Sequence, residues 1–175
     1  IPLEEVAKYI DWSPLFWTWE LKGSYPSIFE NATYGEQAKE IFAEAKTLLA
    51  RIIEEKRFRL EAVVGVFPAF SDKDDIVTID SGGSAQEVER FCFLRQQRNR
   101  EGLPNLCLAD FIAPREMRTH DHLGAFAVVC HGVEAFAKTF EDAHDDYQSI
   151  MVKALGDRFA EALAEFVHKE MRVVL

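Results

Sequence analysis

The sequence predicts an α+β fold with a largely antiparallel sheet and a long C-terminal helix. Three observations lead to this prediction. Apolar residues recur at steps of three and four between Gly35 and Arg57, short β-rich runs fill the middle of the chain, and a second amphipathic pattern starts at Asp145. A helix, then several strands, then two helices is an order typical of α+β proteins.

The N-terminal third of the chain divides into an aromatic segment and a helix. Residues 1–34 are rich in aromatic side chains and are interrupted by Pro14, Gly23 and Pro26, so we expect a segment that wraps over the domain and buries its rings. The helix predicted from Gly35 to Arg57 carries an apolar face with Glu and Lys between its members.

The middle of the chain is predicted to form the sheet. β-rich composition, Pro stops and polar turn residues mark the boundaries of each strand. Leu123–Cys130 is continuously apolar, which indicates a buried strand. The predicted strands are Glu61–Phe67 ending at Pro68, Ile76–Ile79, Glu87–Gln97, Leu106–Ala113 ending at Pro114, and Leu123–Cys130; the predicted connections are Ser71–Asp75, a flexible Ser81–Ser84 loop and Arg98–Asn105.

Two helices complete the predicted fold. The first begins at Val133 and reaches Phe140. The second runs from Asp145 for about 28 residues, or ~42 Å if unbroken. Asp145 and Asp146 stand at its start, where carboxylates accept hydrogen bonds from free amides and complement the helix dipole.

The long helix carries an acidic stripe beside its apolar face. At about 100° per residue, Asp157, Glu161, Glu165 and His168 fall in one sector, next to the apolar side. One interpretation is an ordinary solvated face with Lys169 as an ion-pair partner. The other is a row of carboxylates lining a groove, where they accept hydrogen bonds from a ligand amine or hydroxyl and favour a positive centre.

Composition limits the class of protein. The chain has 175 residues and 48% hydrophobic residues, which fits one folded domain over residues 1–175. Its 30 acidic and 20 basic residues give a formal charge of -10, which disfavours general nucleic-acid binding. No apolar run reaches the ~20 residues that span a bilayer, and no secretory signal pattern precedes the fold, so we expect no membrane partner and a cytoplasmic location.

No metal site is predicted. Cys92, Cys107 and Cys130 are odd in number, distant in sequence and set in apolar runs, so we interpret them as reduced core residues of a cytosolic protein. His120–His122 alternates across a strand and cannot easily hold one ion. The sequence also lacks a phosphate-binding glycine loop and a nucleophile elbow.

Several strings, spread over nearly the whole chain, resemble the activation domains of cobalamin-dependent methionine synthase. They occur in the family's order and fall on the elements predicted above. They are Ile10–Phe16 with Trp19–Pro26, Gly65–Ala69 with Asp74–Ile76, Leu94–Gln97, Cys107–Pro114, and Asp145–Tyr147 followed by Ile150–Leu155, Asp157–Arg158 and Ala160–Ala162, ending near His168.

The resemblance implies a fold and a function. The family fold is a C-shaped α+β domain with a twisted, mainly antiparallel sheet flanked by helices. The family binds S-adenosylmethionine and caps the cobalamin-binding domain of the same enzyme when the cofactor has become cob(II)alamin. A flavodoxin-type protein supplies one electron, and the resulting cob(I)alamin takes the methyl group of S-adenosylmethionine. The enzyme then methylates homocysteine from methyltetrahydrofolate, so the resemblance implies part of a methyltransferase.

The resemblance also implies site residues but no catalytic side chain, since the cobalt is the nucleophile and the sulfonium is an activated donor. The aspartate before the first Trp, here Asp11, and the first glutamate of the Ala-Glu-Ala string, here Glu161, correspond to S-adenosylmethionine contacts. Asp157 corresponds to a position that faces the cobalamin-binding domain.

The end of the chain differs from the family. The family's Arg-Pro-Ala-Pro-Gly-Tyr ligand-binding string follows the long helix, and the chain stops before it. We therefore expect a domain truncated at its C-terminus, inactive as an isolated fragment. The alternative hypotheses are a stand-alone module that docks on a corrinoid protein without binding S-adenosylmethionine, and a non-functional truncation.

Overall fold

The computed structural model describes residues 1–80, 82, 86–98, 101–117 and 121–174. The predicted Ser81–Ser84 loop, apart from Gly82, and the histidine at position 120 lie outside the described residues. The helices are α1 (Leu3–Val6), α2 (Ser13–Trp17), α3 (Gly35–Glu54), α4 (Val133–Glu141) and α5 (Asp146–Val174), and the strands are β1 (Arg59–Asp72), β2 (Asp75–Ile79), β3 (Glu87–Cys92) and β4 (Asp121–His131).

The sheet has four strands in the order β3-β2-β1-β4. β1 and β2 pair antiparallel, as do β2 and β3, which confirms the predicted α+β class with a mainly antiparallel sheet. The chain forms two compact units: a first unit of residues 1–63 with 126–175, and a second unit of residues 64–125.

The first unit contains a large apolar core. The predicted apolar face of α5 is confirmed, because Met151, Leu155 and Phe159 are all 0% exposed. α3 contributes the opposite side of this core, with Ile52 fully buried. Both helices form where their periodicity predicts them, although α3 ends at Glu54, before the predicted boundary at Arg57.

The N-terminal segment buries rings in this core, as predicted. Phe16 is 0% exposed and Trp12 is 9% exposed, and both rings contact Phe42 of α3. The segment is more regular than predicted, because two short α-helices and two 3-10 turns occur within it. Trp17 is an exception to the burial, with 58% of its surface exposed.

β1 is longer than predicted and continues through Pro68 to Asp72. The prediction that the strand ends at Pro68 was therefore wrong. Proline lacks an N–H but fits a strand wherever that N–H is not needed for the ladder. The register with β2 runs from Ala69 to Asp72, beyond the proline, and a two-residue turn follows, with Lys73 at φ 57.

Two other predictions of strand in the second unit need correction. β3 ends at Cys92 rather than at Gln97. Leu106–Ala113 does not continue the sheet, because Leu108–Phe111 forms a 3-10 helix. Its start is capped locally, since the backbone N–H of Cys107 donates to Asp110 at 2.9 Å. This side-chain to backbone hydrogen bond competes with strand pairing.

β4 forms where predicted, but it is not a buried strand. Phe126 is 43% exposed and Val129 is 41% exposed. β4 is an edge strand of the sheet. Burial depends on which elements cover a strand, and the apolar run contains no information about them.

The C-terminal helices agree with the prediction. α4 and α5 begin within one residue of the predicted positions. Asp145 caps α5, since the backbone N–H of Gln148 donates to its Oδ1 at 3.0 Å.

The three cysteines are free, but they are not all core residues. Cys107 is buried, Cys130 is partly buried and Cys92 is exposed, so the core interpretation of Cys92 was wrong. Within the described residues, no helix is long and apolar enough to cross a bilayer. The same part of the chain contains no group of three or more potential metal ligands that could hold an ion.

Candidate functional site

The acidic stripe of α5 is solvent-accessible along its length. Asp157, Glu161, Glu165 and His168 are all exposed, next to the buried face of the same helix. The helix geometry therefore presents three carboxylates on one sector of about 80°. Lys169, the partner considered for a purely solvated face, instead donates to the hydroxyl of Tyr9 at 2.7 Å.

Glu161 has an ion-pair partner that the sequence analysis did not identify. Arg158 donates from Nη1 to Oε2 of Glu161, one helical turn away. The Arg158 side chain is only 14% exposed, whereas that of Glu161 is 55% exposed. Oε1 of Glu161 has no hydrogen-bond partner among the described residues, so this oxygen is open to a ligand.

Asp11 lies in the turn that leads into α2. Its Oδ1 accepts a hydrogen bond from the backbone N–H of Ser13 at 2.9 Å, which fixes the carboxylate against the turn. The residue is exposed, and its Oδ2 has no partner within the described part of the chain. Asp11 therefore resembles Glu161 in having one oxygen bound to the protein and one oxygen accessible.

The N-terminal segment runs along α5 in the opposite direction. Near its start the Tyr9 ring packs against Phe166 with centroids 5.7 Å apart, and near its end Trp19 packs against Tyr147 at 5.7 Å. Tyr147 and Phe166 are separated by about 28 Å along the helix. Two contacts at these distant points determine the direction of the segment.

The Tyr9–Phe166 contact is the described point at which the surroundings of the two predicted ligand residues can be compared. Asp11 follows Tyr9 by two residues, a reach of at most about 7 Å. Glu161 precedes Phe166 by about 7.5 Å along the helix axis and lies about 140° around the helix from it. No direct contact joins the two carboxylates among the described residues, so a shared site stays a prediction.

β4 borders the other side of the stripe. The Phe126 ring stacks on His168 at 6.5 Å, and Asp157 lies close enough to Cys130 to act on its thiol. Burial, with a smaller contribution from the negative charge of Asp157, raises the pKa of Cys130 to about 12. Glu161 therefore lies between two elements that pack on α5, the N-terminal segment on one side and β4 on the other.

Asp157 also borders a shallow depression of about 630 Å³. The end of β4, the start of α4 and the middle of α5 line it, including His131 and Gly156. Glu161 is not among the lining residues. Asp157 thus borders this depression, whereas Glu161, one turn later on the same stripe, does not.

Two residues at this place were missed by the sequence analysis. Arg158 precedes Glu161 by three residues, a spacing that brings side chains together on a helix, so its charge was an available signal. Tyr9 had no such signal, because its partners Phe166 and Lys169 lie at the other end of the sequence.

Fold and geometry together describe an α+β module whose exposed carboxylates suit a positively charged ligand. The comparison with protein families agrees with this class. Residues 2–175 match the family described as vitamin B12 dependent methionine synthase, activation domain. The chain belongs to this family, and the resemblance seen in its sequence strings is confirmed.

A solved structure supports the same assignment. The chain is similar to a protein described as "Crystal Structure of the MetH Reactivation Domain bound to AdoHcy", with a TM-score of 0.89 and 42% sequence identity. The match covers 99% of this chain and 54% of that chain. The chain thus spans about half the length of the solved protein that it matches.

Proposed function

We propose that this chain is a reactivation module of cobalamin-dependent methionine synthase and that it contributes to a site for S-adenosylmethionine. The observation that carries the proposal is the 42% identity, over 99% of the chain, to a reactivation domain solved with AdoHcy. AdoHcy, S-adenosylhomocysteine, is what S-adenosylmethionine becomes when it loses its methyl group.

Asp11 and Glu161 are the residues that we propose to contact this ligand. S-adenosylmethionine carries a sulfonium and an ammonium group, and both positive charges are favoured near carboxylates. Each of the two residues has one oxygen bound to the protein and one oxygen without a partner among the described residues. Carboxylates restrained in this way lose little side-chain entropy when a ligand binds.

The chemistry requires positioning rather than a catalytic side chain of this chain. When bound in its own domain, reduced cobalamin supplies the nucleophile that accepts the methyl group from the sulfonium. The role proposed for this chain is to hold the donor in line, because orientation of two reactants removes a large part of an entropic barrier.

We further propose that Asp157 faces the cobalamin-binding domain. The residue is exposed and borders a depression of about 630 Å³ that Glu161 does not line. An exposed carboxylate at the border of a surface depression suits a reversible contact between domains. A flavodoxin-type protein is the proposed electron donor, and a cytoplasmic location is proposed from the free cysteines.

A methyltransferase of this type transfers the methyl group of methyltetrahydrofolate to homocysteine, and the proposed role of this chain is restricted to restoring the cofactor. We expect the 175 residues alone to be inactive in that reaction. The alternative is a module that docks on a corrinoid protein and does not bind S-adenosylmethionine, which the following measurement separates from the first proposal.

Calorimetric titration of the native protein that carries this chain tests the proposal. We expect S-adenosylmethionine to bind, and we expect Asp11→Asn or Glu161→Gln to weaken the binding free energy by about 1–3 kcal/mol, because each change removes a charge-assisted hydrogen bond.

Glu165→Gln is the matched control, since it removes an exposed carboxylate from the same stripe one turn later. The control should leave the affinity within about 0.5 kcal/mol of the original value. Unchanged affinity in both site variants would show that these residues are not ligand contacts. No binding by the native protein, together with binding to a corrinoid protein, would favour the docking alternative.

A further inference from the structure

Arg158 is a charged side chain that contacts the proposed ligand residue Glu161 and has no role in the function proposed above. It is the N-terminal partner of an ion pair with Glu161. Its side chain is 14% exposed, which is unusual for arginine outside a paired or packed position. Within the described residues, Glu161 is the partner of its guanidinium.

The pair adds little to the helix itself. Arginine precedes glutamate here, and on a helix the reverse order is the more favourable one. An ion pair with one exposed partner is also a weak source of stability. Burying most of an arginine side chain for such a pair therefore calls for a reason other than the stability of α5.

Glu161 differs from the other carboxylates of the stripe in being restrained. Asp157 and Glu165 have no hydrogen-bond or ion-pair partner among the residues that the structure describes. The largely buried side chain of Arg158 donates to Oε2 of Glu161, and Oε1 has no partner among the described residues. Glu161 is thus the carboxylate of the stripe that has a charged partner, and it is the one proposed to contact the ligand.

Helix geometry indicates the direction in which Glu161 is held. Arg158 lies about 60° around the helix from Glu161, and Lys169, which contacts Tyr9, lies about 80° from Glu161 in the same sense. The guanidinium therefore draws the carboxylate toward the N-terminal segment, which carries Asp11. Asp157 and β4 lie in the other sense.

We infer that Arg158 is a positioning residue for S-adenosylmethionine binding, because it orients Glu161 toward the N-terminal segment while leaving one of its oxygens to the ligand. The inference rests on the proposed function. Without Arg158, Glu161 samples several rotamers and must be ordered when the ligand binds, and ordering one such side chain lowers affinity by about three- to tenfold.

A double-mutant cycle on the native protein that carries this chain tests the inference. Arg158→Met keeps the apolar stem and removes the charge, and we expect it to raise the Kd for S-adenosylmethionine by about three- to tenfold. In the Glu161→Gln background the same change should alter Kd by less than about twofold, since the residue to be oriented has already lost its charge. Arg158→Lys should give an intermediate Kd, because lysine keeps the charge but not the fork of donors.

Equal weakening in both backgrounds would overturn the inference, because Arg158 would then act through the fold. A lower Kd in Arg158→Met would also overturn it, because the arginine would then compete with the ligand. If the native protein binds no S-adenosylmethionine, the proposed function fails. If it binds S-adenosylmethionine but the double-mutant cycle shows no coupling between Arg158 and Glu161, only the inference about Arg158 fails.

A measurement without ligand covers the case in which Arg158→Met does not fold. In NMR spectra of the guanidinium nitrogens, rotation about the Cζ–Nε bond should be slow in the original protein and in Glu165→Gln, and fast in Glu161→Gln. Slow rotation that persists in Glu161→Gln would show that Glu161 does not hold Arg158, and the inference would fail.

Discussion

The two compact units of this protein are stabilised in different ways. The first unit has one large cluster of buried apolar residues, to which α3, α5 and the N-terminal segment all contribute. Among the described residues of the second unit, the apolar cluster contains four buried residues, Ala69, Ile76, Cys107 and Ala109. Apolar burial is the dominant favourable contribution to folding, so the second unit depends more on other interactions.

Charged networks supply these interactions in the second unit. Arg95 donates to Asp74 and to Asp110, each at 2.7 Å, and also to the backbone carbonyl of Asn105 at 2.7 Å. These contacts join three stretches of chain whose neighbouring residues also meet in the small apolar cluster. The comparison suggests that a unit with a small core obtains its specific conformation from a few bidentate arginine contacts.

Large exposed apolar side chains are another feature of the second unit. Leu94 is 94% exposed, Phe111 is 72% exposed and Met117 is 67% exposed. Replacing a large apolar side chain by alanine is therefore expected to lower the free energy of unfolding in the core of the first unit. At these exposed positions of the second unit the same change is expected to have little effect.

The largest expected effect comes from the core of the first unit. Phe159→Ala should lower the free energy of unfolding by about 3–5 kcal/mol, because the ring is 0% exposed and contacts Phe58. Denaturant unfolding followed by far-ultraviolet circular dichroism measures the change. Phe111→Ala, the same substitution at an exposed site, should cost less than about 0.5 kcal/mol. Similar losses in both variants would contradict the comparison.

An intermediate effect is expected from the Arg95 network. Arg95→Gln should make the backbone amides of Gln96 and Cys107 exchange hydrogen roughly tenfold faster, because the contacts that restrain this part of the chain are lost. Hydrogen exchange with mass spectrometry measures this, and amides of α5 should not change. Arg98→Gln is the control, since Arg98 has no ion-pair partner among the described residues. Equal exchange in the two variants would show that the network does not restrain the segment.

The smallest expected effect is a pH dependence at Asp110. The Arg95 guanidinium, and then the backbone N–H of Cys107, lower the pKa of Asp110 from 3.8 to about 2. Because the pKa is lowered by folding, its contribution to stability is complete above about pH 4 and is lost as the pH falls through about 2. The amide chemical shift of Cys107 should therefore titrate with a midpoint near 2.

The Arg95→Gln variant provides the comparison for this titration. The midpoint at Cys107 should move up toward the ordinary aspartate value of 3.8, because the largest cause of the shift has been removed. A midpoint of 3.8 in the original protein would mean that Arg95 does not bind Asp110 in solution.

Long elements with a regular pattern could be predicted from the sequence. α3 and α5 were found from apolar residues at steps of three and four, because one face of each helix contacts the core over many turns. The short elements of the second unit were predicted less well. Leu108–Phe111 is a 3-10 helix because the side chain of Asp110 accepts a hydrogen bond from the backbone N–H of Cys107. The apolar run around these residues instead predicted a strand.

The candidate site could be predicted only in part. The stripe on α5 follows from helical spacing, and Asp11 was found from its place in a string that resembles the family. The packing of Tyr9 on Phe166, which places the start of the N-terminal segment against α5, joins residues from opposite ends of the chain. A single sequence contains no signal for such a pair, since pattern analysis compares only neighbouring residues.

Fold class, long helices, acidic stripe and family could all be predicted from the sequence, because each depends on local spacing or on strings of adjacent residues. The exposure of β4, the continuation of β1 past Pro68 and the ion pair of Arg158 with Glu161 became visible only in three dimensions. The physical reason is that burial and ion pairing depend on what lies nearby in space, and distant parts of the chain provide those neighbours.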